Sequence, residues 1–170
     1  MENKLNIELV KVLTQPIVPP VLHYVTPRKI MDQSKWSKLK QEYRLLADHH
    51  CMICQRYVSH TPGDWLELHE RYEYDFENLV QKLVGYVLIC HECHMFIHQG
   101  LLGIQLQNGE VSAENYQKIL DKGNGLLRQF GLQKITYPSE EVFLSRDWKL
   151  NFDGKLYGKR IKNVTKGLRS

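Results

Sequence analysis

The sequence predicts an α+β fold: a central unit of two strands and a helix, with an N-terminal arm and helix before it and a helix plus small hairpin after it. Three observations predict this. All four cysteines fall in two Cys-x2-Cys pairs, Cys51/Cys54 and Cys90/Cys93, within one stretch of the chain. Trp65 to Glu70 alternates in character and Tyr86 to Ile89 is a short apolar run, so both read as strands. Trp36, Leu39, Tyr43 and Leu46 recur at helical spacing, as do Tyr116, Ile119, Leu120, Leu126, Leu127 and Phe130. The 170 residues divide into an arm (1–33), a central unit (34–100) and a C-terminal part (101–170), and are enough to bury a real core.

The cysteine pairs carry the strongest chemistry. A two-residue gap lets one tight turn aim both sulfurs at the same point, and two such turns complete a tetrahedron of thiolates, the donor set of a structural zinc site. The alternatives are two disulfides or four unrelated buried thiols. Zinc is expected because no cysteine lies outside the pairs and no secretory signal is evident. Residues 1–7 lack a basic region followed by an apolar core, and no apolar run is long enough for a bilayer. An intracellular, reducing setting such as the cytoplasm is therefore expected, where thiols bind metal more readily than they pair.

Composition is that of an ordinary soluble protein, 42% hydrophobic and 25% charged, with a net charge of +4. The charge is unevenly placed. From Lys149 onward Lys155, Lys159, Arg160, Lys162, Lys166 and Arg169 face a single acid, Asp153. Such a terminus either attracts phosphate backbones without reading sequence or is a solvated tail. Lys155, Lys159, Arg160 and Lys162 are the candidate nucleic-acid contacts, with DNA the expected partner and a protein partner the alternative. Nothing suggests a membrane.

In chain order, alternation over residues 5–11 suggests a short strand, and Pro16, Pro19, Pro20 and Pro27 an extended arm. A helix is expected from Ser34 to Ala47, capped by Asp32 or Ser34, with Lys35, Lys38, Lys40 and Arg44 on its wet face. The strand from Trp65 places Trp65, Glu67 and His69 on one face and Leu66, Leu68 and Glu70 on the other. Residues 72–83 read as a connection, with Trp65, Tyr72 and Tyr74 expected as core around the cysteines. A helix starting at His91 puts His94 and His98 one turn apart on one face, and Gly100 and Gly103 are expected to end it. Ser112 should cap the helix from Ala113 to Phe130, which Gly123 and Gly125 weaken. Residues 140–152 are expected to hold a strand, turning at Asp153-Gly154.

The order helix, Cys-x2-Cys, strand ending in His, second strand, Cys-x2-Cys-His and helix with a further His resembles the HNH endonucleases, the His-Me finger group with a ββα-metal fold. The likeness covers residues 36–100. The string His69-Glu70-Arg-Tyr-Glu-Tyr74-Asp75, with Thr26-Pro27-Arg28-Lys29 before it, extends the likeness to residues 24–100 and resembles a bacterial and phage subgroup that carries His-Glu in place of His-His. The resemblance implies a structural zinc on Cys51, Cys54, Cys90 and Cys93. It also implies a second divalent ion, Mg2+ or Mn2+, at a site where His69, His94 and His98 are the matching residues. Two departures stand out: Glu70 occupies the position of the histidine that activates water, and Gly85 that of the asparagine that orients it.

Phosphodiester hydrolysis needs a base for the attacking water, a Lewis acid on the phosphate and a proton for the leaving oxygen. A free Glu is a weaker base than His by about two pKa units, roughly 2.7 kcal/mol of driving force, but is fully ionised at neutral pH. The expectation is a metal-dependent DNA endonuclease or nickase with Glu70 and His69 as catalytic residues. Its rival is an inactive zinc-stabilised module that binds nucleic acid or a protein. No Ser-His-Asp nucleophile, phosphate-cradling glycine loop or dinucleotide fingerprint is present.

Overall fold

The computed structural model describes residues 5–158. The expected N-terminal strand is instead helical: α1 (Ile7–Val10) runs into a 3-10 turn over Lys11–Thr14. Asn6 caps α1 by accepting from the Glu8 N–H at 2.9 Å. Consecutive Val12, Leu13 and Thr14 are all buried, in the turn that packs against α4 (His91–Ile97) and α6 (Ala113–Gln129). A strand would turn every second one of them outward. The proline-rich arm that follows holds a 3-10 turn at Pro20–Leu22 and the single-turn α2 (Pro27–Ile30).

Helix α3 (Gln33–Ala47) starts where Asp32 Oδ1 accepts from the Lys35 N–H at 2.9 Å. Its inner face is Trp36, Tyr43 and Ala47, and the expected Leu46 points to solvent with Leu45. Left-handed residues Asp48 and His49 end it and turn the chain into the first cysteine knuckle.

The two central strands are longer than their apolar runs. β1 (Leu66–Asp75) and β2 (Val80–Cys90) form an antiparallel hairpin, and the expected connection over 72–83 is mostly strand. Asp75 Oδ1 closes the turn by accepting from the N–H groups of Glu77 and Asn78. The register shifts between Arg71 and Tyr72, opposite Gly85, whose φ of +155° is rarely adopted by residues with a side chain. The glycine that departs from the HNH pattern thus serves the backbone, because it sits at a bulge. β2 also pairs in parallel with β3 (Lys149–Phe152), and β3 antiparallel with β4 (Lys155–Tyr157), for a sheet order β1-β2-β3-β4.

After α4 the chain kinks at His98 and continues as α5 (Gln99–Gln107). Gly100 and Gly103 lie inside α5 rather than ending a helix. Helix α6 begins at the Ser112 cap and is not split by its glycines. A Cβ on Gly123 would stand 2.2 Å from the Phe96 ring, so the missing side chain is what lets α6 approach α4. The expected strand over 140–152 is shared between a short helix, α7 (Glu140–Leu144), and β3.

One hydrophobic cluster joins Val10 and Leu13, Ile53 and Val58, Val87 to Ile89, Met95 to Ile97, Leu102, Ile119 and Leu127. A separate aromatic group centres on fully buried Trp148, with Tyr74, Phe76 and Tyr137 around it. Tyr74 therefore packs there, away from the cysteines, and Trp65 is 45% exposed. Among the described residues no helix is long and apolar enough to cross a membrane.

Candidate metal centres

Both cysteine knuckles come to one point. Cys51 follows α3, Cys90 ends β2 and Cys93 lies in the first turn of α4. The sulfurs of Cys51, Cys54, Cys90 and Cys93 all lie within 4.8 Å of one another, with Cys51 to Cys93 at 3.8 Å and Cys54 to Cys90 at 3.7 Å. A tetrahedron with zinc–sulfur bonds of ~2.3 Å has edges of about 3.8 Å. A disulfide needs about 2.05 Å, and all four cysteines are free. The cluster is compatible with a structural zinc.

Its surroundings supply positive charge. The Cys54 N–H donates to Cys51 Sγ at 3.5 Å, and Lys122 Nζ donates to Cys90 Sγ at 3.9 Å while pairing with Glu92. Arg56 lies beside them, tied to Asp64 at 2.8 Å. Hydrogen bonds among neighbouring thiols pull Cys54 down to about 6 and Cys90 lower, and push Cys51 and Cys93 up. Four sulfurs this close share protons unless a cation replaces them.

The second centre is histidine. Ligand nitrogens of His69 on β1, His94 on α4 and His98 at its end also lie within 4.8 Å of one another. His69 Nε2 and His98 Nε2 are 3.1 Å apart. Two of the rings are held from behind, in the manner of second-layer partners that orient metal-binding imidazoles. His69 Nδ1–H donates to the backbone carbonyl of Glu70 at 2.6 Å, and His94 Nδ1 lies 3.1 Å from Glu67 Oε2. A carbonyl only accepts, so His69 Nδ1 carries the proton and its Nε2 lone pair faces His98 Nε2. The same Glu67 oxygen accepts from His91 Nδ1 at 3.3 Å, beside Cys90 in sequence.

Protonation follows burial. Burial, then the neighbouring imidazoles, holds His69 well below the usual imidazole range, and burial lowers His98 to about 4. Burial pushes Glu67 up, but hydrogen bonds from His91 and His94 outweigh it and the carboxyl ends well below its usual range. His69 and His98, held neutral beside the ionised Glu67 carboxylate, can offer lone pairs to a cation.

Three imidazoles suit zinc-like ions such as zinc, copper, iron or nickel, whereas Mg2+ and Mn2+ favour oxygen ligands. Among the described residues no carboxylate joins the cluster. The expected Mg2+ or Mn2+ would need oxygen ligands from water or phosphate beside these imidazoles.

The centre opens on a cavity of about 490 Å3, walled by Ile17, Leu22, Leu101 and Ile104 and closed at its polar end by His69, Glu70 and His98. Glu70 lines this cavity, but its carboxylate does not enter the histidine cluster. Burial raises that carboxyl, with His94 and Arg28 pulling partly back. The chain matches no protein-family model, no curated protein and no solved structure.

Among the expected nucleic-acid contacts, Lys155 is exposed on β4, while Lys159, Arg160 and Lys162 lie outside the described residues. On α3, Lys35, Lys38 and Arg44 are exposed. Residues that sequence reading passed over include Glu67, legible only as the strand neighbour two places before His69, and His91, its second partner. His23 is another: it sits in the cavity wall and bonds to the Val18 carbonyl at 3.1 Å. Gln15, in the arm, carried no local signal.

Proposed function

We propose that the chain is a metal-dependent phosphodiesterase acting on DNA, with the β1–β2 hairpin and α4 as a ββα-metal core of the HNH type. The observation that carries this reading is the convergence of His69, His94 and His98 beside a four-cysteine cluster, from residues 25 to 29 positions apart in sequence for the strand and helix members. Structural zinc on Cys51, Cys54, Cys90 and Cys93 would tie α3, β2 and α4 together. His69, His94 and His98 would hold a second ion of the manganese or zinc class. Bound there, such an ion polarises a phosphodiester oxygen and eases deprotonation of water.

The chain's own residues do the remainder. Glu67 and the Glu70 carbonyl fix two rings so that the donors need no rearrangement. The Glu70 carboxylate, which lines the same cavity, would accept the proton of the attacking water. Its raised proton affinity, closer to neutral pH than that of a free Glu, favours that role. Lys155 and the basic terminus give sequence-independent backbone affinity.

A second reading, a non-catalytic DNA- or protein-binding module, is favoured by one observation: the Glu70 carboxylate stands outside the histidine cluster. Plasmid nicking with Mn2+ or Zn2+ separates the two. The parent nicks, whereas Glu70→Gln and His98→Ala lose at least tenfold in rate. A parent that retards DNA on a gel yet cuts nothing supports the module.

A further inference from the structure

We propose that Gln15 is a positioning residue for His69: its side-chain amide pins the edge of β1 so that the Glu70 carbonyl holds the imidazole with Nε2 facing the other two histidines. The inference rests on reading the histidine trio as a metal site.

β1 is the outer strand of the sheet, so one row of its backbone groups has no strand neighbour. Gln15 fills that row at the place that matters. Its Oε1 accepts from the Tyr72 N–H at 2.5 Å, and its Nε2 donates to the Glu70 carbonyl at 3.4 Å. One primary amide thus pairs with the C=O of one residue and the N–H of the second residue after it, as a neighbouring strand's peptide would. The site is next to the register shift between Arg71 and Tyr72, where the ladder to β2 is least regular. The carbonyl that Gln15 touches is the acceptor of His69 Nδ1–H. Because donor and acceptor are adjacent residues, the ring's orientation depends directly on the Glu70 peptide plane.

Gln15 is itself held from the far side. It is only 4% exposed, and its backbone carbonyl accepts from Lys134 Nζ at 3.1 Å. Two flanking bonds run in the same direction: the Ile135 N–H donates to the Thr14 carbonyl at 2.8 Å, and Tyr137 Oη–H to the Ile17 carbonyl. The segment 134–137 therefore clamps 14–17 against β1. An order of contacts runs from Lys134 through Gln15 and the Glu70 carbonyl to His69. It gives the arm and the C-terminal segment, which supply no metal donor, a part in the site.

The test compares the parent with Gln15→Met, which keeps the volume and loses both bonds, and with Gln15→Glu, which keeps the acceptor for Tyr72 and loses the donor to Glu70. Lys134→Met probes the outer link. Three readouts are taken with zinc retained on the cysteines: Co2+ affinity of the histidine trio by titration of its visible bands, the His69 tautomer by 15N NMR, and the melting temperature. Gln15→Met should weaken Co2+ binding by about 10- to 100-fold, the usual cost of losing an outer-layer partner, and turn a single Nδ1–H tautomer into a mixture. Gln15→Glu should give a smaller loss, and Lys134→Met one smaller still. Parent-like Co2+ affinity and tautomer in both Gln15 variants, even with a lowered melting temperature, overturns the proposal. Should Gln15→Met fail to fold, Gln15→Glu and Lys134→Met decide it by the same readouts. A parent that binds no Co2+ at the trio refutes the metal-site reading instead, and the tautomer still decides the role of Gln15.

Discussion

Chelation tests how much of the fold depends on the zinc proposed for the cysteine cluster. The four sulfurs join three elements that otherwise meet through a modest core: the end of α3, the end of β2 and the start of α4. Cys51, Cys90 and Cys93 belong to the same cluster as Ile53, Val87 to Ile89 and Met95 to Ile97, so the anchor lies within the core rather than beside it. Structural zinc in small sites contributes about 10–16 kcal/mol of apparent binding energy at neutral pH. The total stability of a domain is about 5–15 kcal/mol. Loss of the ion should therefore unfold residues 48–98 at least. Without it, sulfurs 3.7 and 3.8 Å apart would have to share protons in a buried site. The assay is far-UV circular dichroism and amide NMR during titration with a strong chelator at neutral pH, with Cys90→Ser as an independent route. Cooperative loss of structure matched to release of one zinc is the expected result. A chelated protein whose spectrum and melting temperature match those of the parent would refute the reasoning.

Three further predictions follow from single contacts. Glu67→Gln keeps the shape of the side chain but removes the charge that holds His91 and His94, so Co2+ affinity at the histidine trio should fall by about tenfold while the cysteine zinc is retained; titration of the visible spectrum checks this. Gly123→Ala gains up to ~1 kcal/mol of helix propensity but drives a methyl into the Phe96 ring, so denaturant melts should show a net loss of about 1–2 kcal/mol rather than a gain. Burial lowers Lys134 from its ordinary 10.5 to about 8. The unfolded chain keeps that proton to higher pH than the folded one, so between about pH 8 and 10.5 this group makes stability rise with pH. The difference in melting behaviour between parent and Lys134→Met across that window should show the slope, and parallel curves would contradict it.

What the sequence disclosed depends on whether a residue acts on its near neighbours. The cysteine pairs were legible because a two-residue gap is itself the geometry of a knuckle. His94 and His98 were legible because one helical turn separates them. Asp32 and Ser112 were legible as caps for the same reason. The N-terminal segment was misread because apolar residues at Leu5, Ile7 and Leu9 imitate a strand, while the turn that follows buries three consecutive residues, Val12 to Thr14, against α4 and α6. Gly123 reads as a helix breaker until the Phe96 ring is seen beside it. The hairpin was read too short because its distal half is tyrosines, charges and a bulge rather than an apolar run. Gln15 was invisible for a stronger reason: its partners at Glu70, Tyr72 and Lys134 are 55 to 119 residues away, and no periodicity spans that distance.

Counting metal on the intact chain addresses the central claim most directly. Native mass spectrometry of protein purified without chelator, then supplied with Zn2+ or Mn2+, should show two ions per chain, falling to one in His98→Ala. A parent that never takes more than one ion, or a His98→Ala variant that still takes two, would contradict the account.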